Sequence, residues 1–267
     1  MTLLHAFLLG ILQGLTEFIP VSSTAHLLIG QTLLGLPAND AMFSFLVIVQ
    51  LGTLISLFAF YWKDLLSILK ATFDFRRSTP ERNLGISIII ATLPALLAGY
   101  LLKDAVEALF KQPMLEASIR LFAAAVLLTL AEWLTKKDRT LAAMTWLDAL
   151  FIGIMQILAV FPGASRSGTT ISGGMFRGFD RPSAARFAFL MSVPVMLAAG
   201  AYQMLDVFAM PNLGEFLPLL AVGFLTAAVV GWFAIQWLIA YLSRRSLYIF
   251  AAYCAALGLI TFFVYLT

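Results

Sequence analysis

Two polar stretches interrupt an otherwise apolar chain, and their side chains are of the types that bind and cleave phosphate esters. The first stretch holds Gln13, Glu17, Ser22, Ser23, Thr24 and His26, and the second holds Ser165, Arg166, Ser167 and Thr170. Arginine binds phosphate oxygens, a hydroxyl can attack phosphorus, histidine can move a proton and a carboxylate can hold a divalent ion. These groups suit an anionic phosphate better than a cation or a sugar.

The spacing within each stretch predicts how these side chains are presented. Gln13 and Glu17 are four residues apart, and Ser23 and His26 are three apart, so on helices each pair shares a face. Pro20 precedes the point where a new helix would begin, so free N–H groups and the positive end of a helix dipole lie near the hydroxyls. The second stretch repeats this logic at Arg166. If the two turns meet tip to tip, they form one polar pocket.

Each of these residues also has an ordinary structural explanation. Serine and threonine in membrane helices often bond to the carbonyl one turn earlier, and a histidine on an apolar helix is usually a hydrogen-bonded core residue. Glu17 and Arg166 could form a buried ion pair that joins the two stretches. We favour a phosphate pocket, because two interrupted helices are costly to keep around an ion pair that serves only as scaffold.

The elements that position these residues are predicted to be membrane helices. Hydrophobic residues make up 61% of the 267 residues and charged residues 12%, against about 25% charged in soluble domains. We predict an all-α polytopic membrane protein with six transmembrane helices, at about 41–61, 84–102, 117–135, 184–206, 216–242 and 246–266. The stretches 1–38 and 146–178 are apolar but broken at Pro20 and Pro162, which predicts two re-entrant helical hairpins.

The basic residues predict the orientation. Thirteen lie in the connections 62–83, 136–139 and 177–186 and at 244–245, whereas the opposite connections hold Lys103, Lys111 and Arg120, which leaves Arg166 as the only base within an apolar stretch. The positive-inside rule places the larger group in the cytoplasm, so both termini and the first hairpin are predicted to face outward. Because these bases are spread over loops, we expect no nucleic-acid partner.

An internal repeat supports this layout. Residues 10–18 (GILQGLTEF) match 153–161 (GIMQILAVF), each followed by a Pro-x-x-Ser, and 43–49 (FSFLVIV) match 187–193 (FAFLMSV). We predict one integral membrane domain over 1–267, with repeat 1 at about 1–140 and repeat 2 at about 145–267. Each unit has three spans, so the second copy is inverted, as in many transporters whose sites lie where broken helices meet.

The two polar stretches resemble the signatures of a known family. QGLTEFIPVSSTAH at 13–26 resembles the first signature of the undecaprenyl-diphosphate phosphatase family (UppP, also called BacA, the bacitracin-resistance proteins), and PGASRSGTT at 162–170 resembles its second. The resemblance covers essentially the whole chain in length, span pattern and repeat. The family's first motif opens with Glu or Gln, and this chain has Gln13, which leaves Glu17 as the one carboxylate of that motif.

The resemblance implies hydrolysis of undecaprenyl diphosphate to undecaprenyl phosphate and phosphate, at the outer side of the bacterial cytoplasmic (inner) membrane. This reaction recycles the lipid carrier of peptidoglycan synthesis and gives bacitracin resistance. Family members use Mg²⁺ or Ca²⁺. The partners implied are the lipid substrate, whose prenyl chain would enter laterally, and the surrounding membrane lipids; a second copy of the chain, in a homodimer, is left open.

The resemblance also implies a role for each matching residue. Glu17 with Gln13 would bind the metal or orient water, Ser23 would be the nucleophile, His26 the acid or base, and Arg166 the phosphate clamp. The remaining hydroxyls would line the diphosphate pocket: Ser22, Thr24, Ser165, Ser167 and Thr170. The attacking group could instead be His26 or an activated water.

A transporter or flippase is the alternative function. The same inverted repeat and anion pocket could move a polyprenyl phosphate or another anion across the membrane without breaking a bond. Ser23 and His26 discriminate between the two functions, because a carrier needs the Arg166 clamp but has less use for a nucleophile beside an acid or base.

Overall fold

The protein is helical throughout the part of the chain that the structure describes. A computed structural model describes residues 1–37, 39–74, 76, 79–102, 112–159, 164–208 and 213–266. The α-helices in these ranges are α1 (Leu3–Thr16), α2 (Ser23–Leu33), α3 (Asp40–Phe60), α4 (Trp62–Thr72), α5 (Pro80–Leu101), α6 (Pro113–Leu134), α7 (Trp146–Ile157), α8 (Arg166–Phe176), α9 (Arg181–Phe208), α10 (Leu213–Leu242) and α11 (Tyr248–Leu266). A single 3₁₀ turn, Leu141–Ala143, precedes α7.

Six of the described helices are long and apolar enough to cross a membrane, which confirms the predicted spans. They cover Ala41–Phe60, Pro80–Leu101, Pro113–Leu134, Arg181–Tyr202, Phe216–Leu242 and Tyr248–Leu266. A helix satisfies its own backbone hydrogen bonds, which is what the hydrocarbon requires. Local signals fix several starts: the Asn39 side chain accepts a hydrogen bond from the Met42 N–H, and Pro80 and Pro113 stand in the first turns of α5 and α6.

Two pairs of shorter helices lie where the hairpins were predicted. α1 and α2 have 14 and 11 residues, and α7 and α8 have 12 and 11. At 1.5 Å per residue these helices are about 17 to 21 Å long, shorter than the ~30 Å hydrocarbon core. Pro20 lies in the turn between α1 and α2, whereas Pro162 lies outside the described residues. The lengths are consistent with re-entrant hairpins.

The first helix of each hairpin packs closely on a spanning helix from the other half of the chain. α1 packs on α10, and α7 packs on α5. A Cβ on Gly10 would lie 2.7 Å from the Gly223 carbonyl oxygen, and a Cβ on Gly153 would lie 2.5 Å from the Ala91 carbonyl oxygen. Both positions therefore require glycine. Gly10 and Gly153 are aligned in the predicted repeat, whose two halves would exchange α1 with α7 and α10 with α5.

The location predicted for Arg120 was wrong. Arg120 is not in a connection but lies within α6, seven residues after Pro113, and is only 4% exposed. The predicted span of about 117–135 already included this position, and the helix begins still earlier, at Pro113. Arg166 is therefore not the only basic residue inside an apolar segment. Lys103 and Lys111, the other two bases of that group, lie outside the described residues.

Buried carboxylates stabilise the end of the bundle where the basic residues collect. Asp148 accepts hydrogen bonds from Arg139 (2.7 Å to Oδ2), Arg177 (2.6 Å to Oδ1) and the Thr145 hydroxyl (2.8 Å). Burial alone would raise the pKa of Asp148, but these hydrogen bonds outweigh that effect and lower it. Glu132 likewise accepts two hydrogen bonds from Arg181, at 2.6 Å to each carboxylate oxygen. The two carboxylates therefore link the basic connections to the helices.

Candidate active site

The two interrupted stretches meet at their tips. α2 begins at Ser23 with Ser22 as its N-cap, and α8 begins at Arg166 with Ser165 as its N-cap. The Ser167 hydroxyl donates to the Ile19 carbonyl oxygen of the first turn at 3.4 Å. Both helix N-termini were predicted at these residues, and both are found there. They bring two positive dipole ends to one place.

Glu17 is the centre of the polar groups at this junction. Its Oε2 accepts hydrogen bonds from the Gln13 amide at 2.7 Å and from the Ser23 hydroxyl at 2.8 Å. Its Oε1 accepts from the Gln50 amide of α3 at 3.4 Å and forms an ion pair with Nη2 of Arg166. The carboxylate therefore links α1, the start of α2, α3 and the start of α8.

The ion pair between Glu17 and Arg166 is present, and it faces an open cavity. The Glu17 side chain is 2% exposed and that of Arg166 is 19% exposed. Among the described residues Arg166 gives a hydrogen bond only to Glu17, so further N–H donors of the guanidinium are available to a ligand. A buried pair by itself is weak evidence of either stability or function. The neighbouring cavity favours function.

The cavity has a volume of about 860 Å³ and two chemically different walls. Its polar wall is formed by the two turns and by side chains from three further helices: Glu17, Ser22, Ser23, Thr24, Gln50, Arg120, Gln156, Ser165, Arg166 and Ser167. Its apolar wall comes from the C-terminal end of α5 and the middle of α9, with Ala95, Leu96, Gly99, Tyr100, Leu101, Val195, Met196, Ala198, Ala199 and Tyr202. This volume is in the range of small-molecule sites, and the two walls suit an amphipathic ligand.

His26 is not brought to this cavity. Its Nδ1 donates to the Ser22 carbonyl oxygen at 2.8 Å, and its Nε2 lies 2.8 Å from the Tyr253 hydroxyl of α11. The two rings stack with their centroids 5.7 Å apart. Since a carbonyl oxygen only accepts, Nδ1 carries a proton, and Nε2 of the neutral ring accepts from Tyr253. The imidazole thus secures the Ser22 backbone, which has a positive φ of 68°.

The remaining predicted residues are divided between the cavity and the helices. Thr24 is exposed and lines the cavity, whereas Thr170 is buried and donates to the Arg166 carbonyl oxygen at 2.8 Å. Ser165 donates or accepts a 3.3 Å hydrogen bond with Ser167 and caps the Gly168 N–H. Thr170 therefore supports the first turn of α8 and does not line the cavity.

Three cavity residues were missed by sequence reasoning: Gln50, Arg120 and Gln156. The repeat contained a signal for Gln156, because that residue aligns with Gln13. Gln50 and Arg120 stand on long apolar helices whose rotation is set by tertiary packing, and no motif marks them.

A divalent cation would find oxygen ligands beside Glu17. Among the described residues no group of three or more His, Cys, Asp or Glu side chains is arranged to hold a metal. However, Oε1 of Gln13 is buried without a hydrogen-bond partner in this part of the chain, next to the Glu17 carboxylate. Hard cations use carboxylate and amide oxygens and often complete their shell with substrate phosphates and water. These donors fit Mg²⁺ or Ca²⁺ bound together with a phosphate ligand.

Comparisons with known proteins show which family this chain belongs to. A model of the family described as bacitracin resistance protein BacA matches residues 6–260. Proteins named undecaprenyl-diphosphatase from Chlorobium phaeobacteroides and from Anaeromyxobacter sp. are each 43% identical over 97% of this chain, covering 95% and 90% of their own lengths. One from Rubrobacter xylanophilus is 42% identical over 96% of both chains. This polytopic membrane protein therefore belongs to the bacitracin resistance protein BacA family.

Proposed function

We propose that this protein hydrolyses undecaprenyl diphosphate to undecaprenyl phosphate and phosphate. The observation that carries this proposal is the Ser23 hydroxyl hydrogen-bonded to the Glu17 carboxylate at 2.8 Å, beside Arg166, at the polar end of an amphipathic cavity. Relatives of more than 40% identity bear the name of this activity. The reaction would recycle the lipid carrier of peptidoglycan synthesis and so give bacitracin resistance.

The two walls of the cavity match the two parts of the substrate. The diphosphate lies against Arg166 and the N-termini of α2 and α8, where a guanidinium and free N–H groups bind phosphate oxygens. The prenyl chain follows the C-terminal end of α5 and the middle of α9 toward the bilayer. Tyr100 is 84% exposed and Leu101 72% exposed at this edge, so the chain can enter laterally without crossing the polar wall.

The proposed chemistry begins at Ser23. Glu17 takes the hydroxyl proton, and the Ser23 oxygen attacks the terminal phosphorus while Arg166 neutralises charge on its oxygens. The bond from this phosphorus to the bridging oxygen breaks, and undecaprenyl phosphate leaves with the proton from Glu17. Water then hydrolyses the serine phosphate, which releases inorganic phosphate. If water attacks directly, Glu17 is placed to act as its base.

We assign His26 a positioning role for this step. It holds the carbonyl of Ser22, the residue before the nucleophile, and is itself held by Tyr253. Under this proposal Tyr253→Phe lowers kcat but leaves the pH dependence of kcat unchanged. A shifted profile would mean that His26 carries the proton, as the family resemblance implied.

Glu17 with Gln13 would hold the divalent cation, Mg²⁺ or Ca²⁺. When bound there, the cation would neutralise charge on the diphosphate oxygens. The Gln13 amide is held toward Glu17 through its nitrogen, which turns its carbonyl oxygen into the available ligand. Chelation should therefore lower turnover, and Gln13→Glu, which adds a second carboxylate, should lower the cation concentration needed for half-maximal rate.

We further propose that the site opens to the outside of the bacterial cytoplasmic membrane. The proposal rests on the basic residues, which collect at the opposite end of the bundle, around Arg139, Arg177 and Arg181. A cysteine at Gln112 should react with an impermeant maleimide in intact cells, and one at Lys136 only after permeabilisation. The native Cys254 is buried and should not react. The reverse labelling pattern would overturn the orientation.

The experiment that tests the function is phosphate release from a long-chain prenyl diphosphate by the purified protein, with and without chelator. We expect release that depends on the divalent cation and is abolished in Ser23→Ala. A protein that binds the lipid but releases no phosphate under any cation condition would contradict the hydrolase and favour the carrier.

A further inference from the structure

Gln156 occupies a position that is hard to explain as scaffold. It lies in the last turn of α7, is 2% exposed and lines the cavity. Neither its amide nitrogen nor its amide oxygen has a hydrogen-bond partner among the described residues. A buried amide left unpaired costs about 1–3 kcal/mol. Its partner is therefore expected to be a ligand in the cavity.

Arg120 places a second guanidinium at the same cavity. It is 4% exposed on α6, and Glu116 one turn earlier interacts with it electrostatically. One turn later on α6, the Cβ of Ala124 is 3.9 Å from where a Cβ on Gly168 would stand, in the first turn of α8. Residues four apart share a helix face, so Arg120 lies on the face of α6 that packs against the helix beginning with Arg166.

The charged side chains that line the cavity are more often basic than acidic among the described residues. Among its described lining residues the charged groups are Glu17, Arg120 and Arg166. Glu17 and Arg166 neutralise one another, so Arg120 leaves this set with a net charge of +1. Arg120 also interacts with Glu116, which does not line the cavity, and the several N–H donors of a guanidinium allow it to bind more than one acceptor.

We propose that Arg120 and Gln156 form a second anion subsite, which takes one phosphate of the diphosphate while Arg166 takes the other. This inference rests on the proposed function and adds the means of telling diphosphate from monophosphate. A lipid monophosphate can fill only one of the two subsites. Because the second subsite then remains empty, the product is bound more weakly than the substrate and is released.

The test is a comparison of two ligands. Farnesyl methylenediphosphonate carries two phosphorus groups joined by a carbon that cannot be hydrolysed, and farnesyl phosphate carries one. Their Kd values are measured on purified wild type and on Arg120→Gln, Gln156→Leu and Gln156→Glu. Gln31→Leu is the matched control, since Gln31 is buried on α2 away from the cavity and bonded to the Pro37 carbonyl oxygen at 2.9 Å.

Arg120→Gln should weaken diphosphonate binding roughly 10- to 100-fold, the range for a hydrogen bond to a charged group, and change the monophosphate Kd less than about twofold. Gln156→Leu should act in the same direction. The isosteric Gln156→Glu should weaken it further, because it puts a negative charge beside a phosphate. Gln31→Leu should leave both affinities unchanged.

Two results would overturn the second subsite. An equal loss for both ligands in Arg120→Gln would mean that Arg120 binds the phosphate they share, and unchanged affinities would mean that it binds neither. If Arg120→Gln does not yield a monodisperse protein, Arg120→Lys and Gln156→Glu supply the same comparison. Wild-type phosphate release is measured in parallel: its absence refutes the proposed function, whereas normal release with an unchanged ligand ratio refutes the subsite alone.

Discussion

Two clusters of carboxylate and arginine stand at different levels of the molecule, and they differ in what surrounds them. At the basic end, Asp148 has both oxygens occupied by Arg139, Arg177 and Thr145, and its side chain is fully buried. At the hairpin tips, Glu17 is as well supplied with donors, but the cluster opens onto a cavity of about 860 Å³. The first is closed, and the second is open.

The difference shows that an ion pair is not itself the signal of a functional site. Removing either carboxylate would leave partly buried arginines without their ion-pair partner, so both clusters matter to the protein. The open cluster differs in its amide atoms: Gln13, beside Glu17, and Gln156, in the cavity wall, have buried amide atoms with no hydrogen-bond partner among the described residues. Buried polar atoms that have no hydrogen-bond partner, and not the ion pair, distinguish the site from the scaffold.

The largest effect that separates the two clusters should come from Glu17→Gln. The amide keeps the shape but cannot take the Ser23 proton, so we expect turnover to fall by about 10³-fold. The thermal midpoint should fall less than in Asp148→Asn, because the amide oxygen can still accept hydrogen bonds and Arg166 faces the open cavity, where water can solvate it. Steady-state phosphate release and a thermal melt on the same preparation check this. A variant that is unstable but keeps its turnover would make Glu17 part of the scaffold.

Arg166→Lys should have the next largest effect. Lysine keeps the charge but loses the planar fork that binds phosphate oxygens in pairs, so kcat/KM should fall by about 10²-fold in a folded protein. Arg181→Lys is the matched control, because Arg181 makes a comparable two-point contact with Glu132 at 2.6 Å in the basic end. It should alter stability and not turnover. Near-normal kcat/KM in Arg166→Lys would reduce Arg166 to an ion-pair partner.

Asp148→Asn should show the opposite pattern. Breaking a fully buried pair costs about 3 kcal/mol, and the cost here should be smaller because the Arg139 and Arg177 side chains are 31% and 39% exposed to water. The thermal midpoint should therefore fall while kcat per folded molecule stays within about threefold of wild type. A loss of kcat with no loss of stability would contradict the division between the two clusters.

The same cluster predicts how stability depends on pH. The pKa of Asp148 is lower in the folded protein than its ordinary value. The stability it provides is therefore complete above the unfolded value of about 4 and is lost as the pH falls below that value. Wild type should lose more stability than Asp148→Asn between about pH 4 and pH 2. Parallel curves for the two proteins would show that Asp148 is not the group that titrates.

Much of the fold follows from the sequence because the bilayer leaves few choices. Long apolar runs must be helices, and the proline-serine turns at Pro20 and before Ser165 require new helices to begin. Both starts, at Ser23 and Arg166, were predicted for this reason. The six spans were predicted with them, and the meeting of the two turns, which the structure shows, was the condition for a shared pocket.

Residues whose role depends on the rotation of a long helix could not be found in this way. Arg120 stands in a run of apolar residues on α6, and only the packing of α6 against α8 shows which way it faces. The position of the His26 ring also depends on tertiary packing. Its spacing from Ser23 suggested a shared site, but the ring is hydrogen-bonded to Tyr253 of α11, which is 227 residues away in the sequence.

The proposed attack of Ser23 on phosphorus, with Glu17 as its base, is tested by the turnover of Ser23→Ala. Phosphate release from a long-chain prenyl diphosphate is measured over a range of Mg²⁺ and Ca²⁺ concentrations, with Ser243→Ala, an exposed serine at the end of α10, as control. We predict a loss of at least ~10³-fold in Ser23→Ala at every cation concentration and none in the control. Turnover of Ser23→Ala near the wild-type rate would contradict the serine mechanism and assign the attack to water or His26.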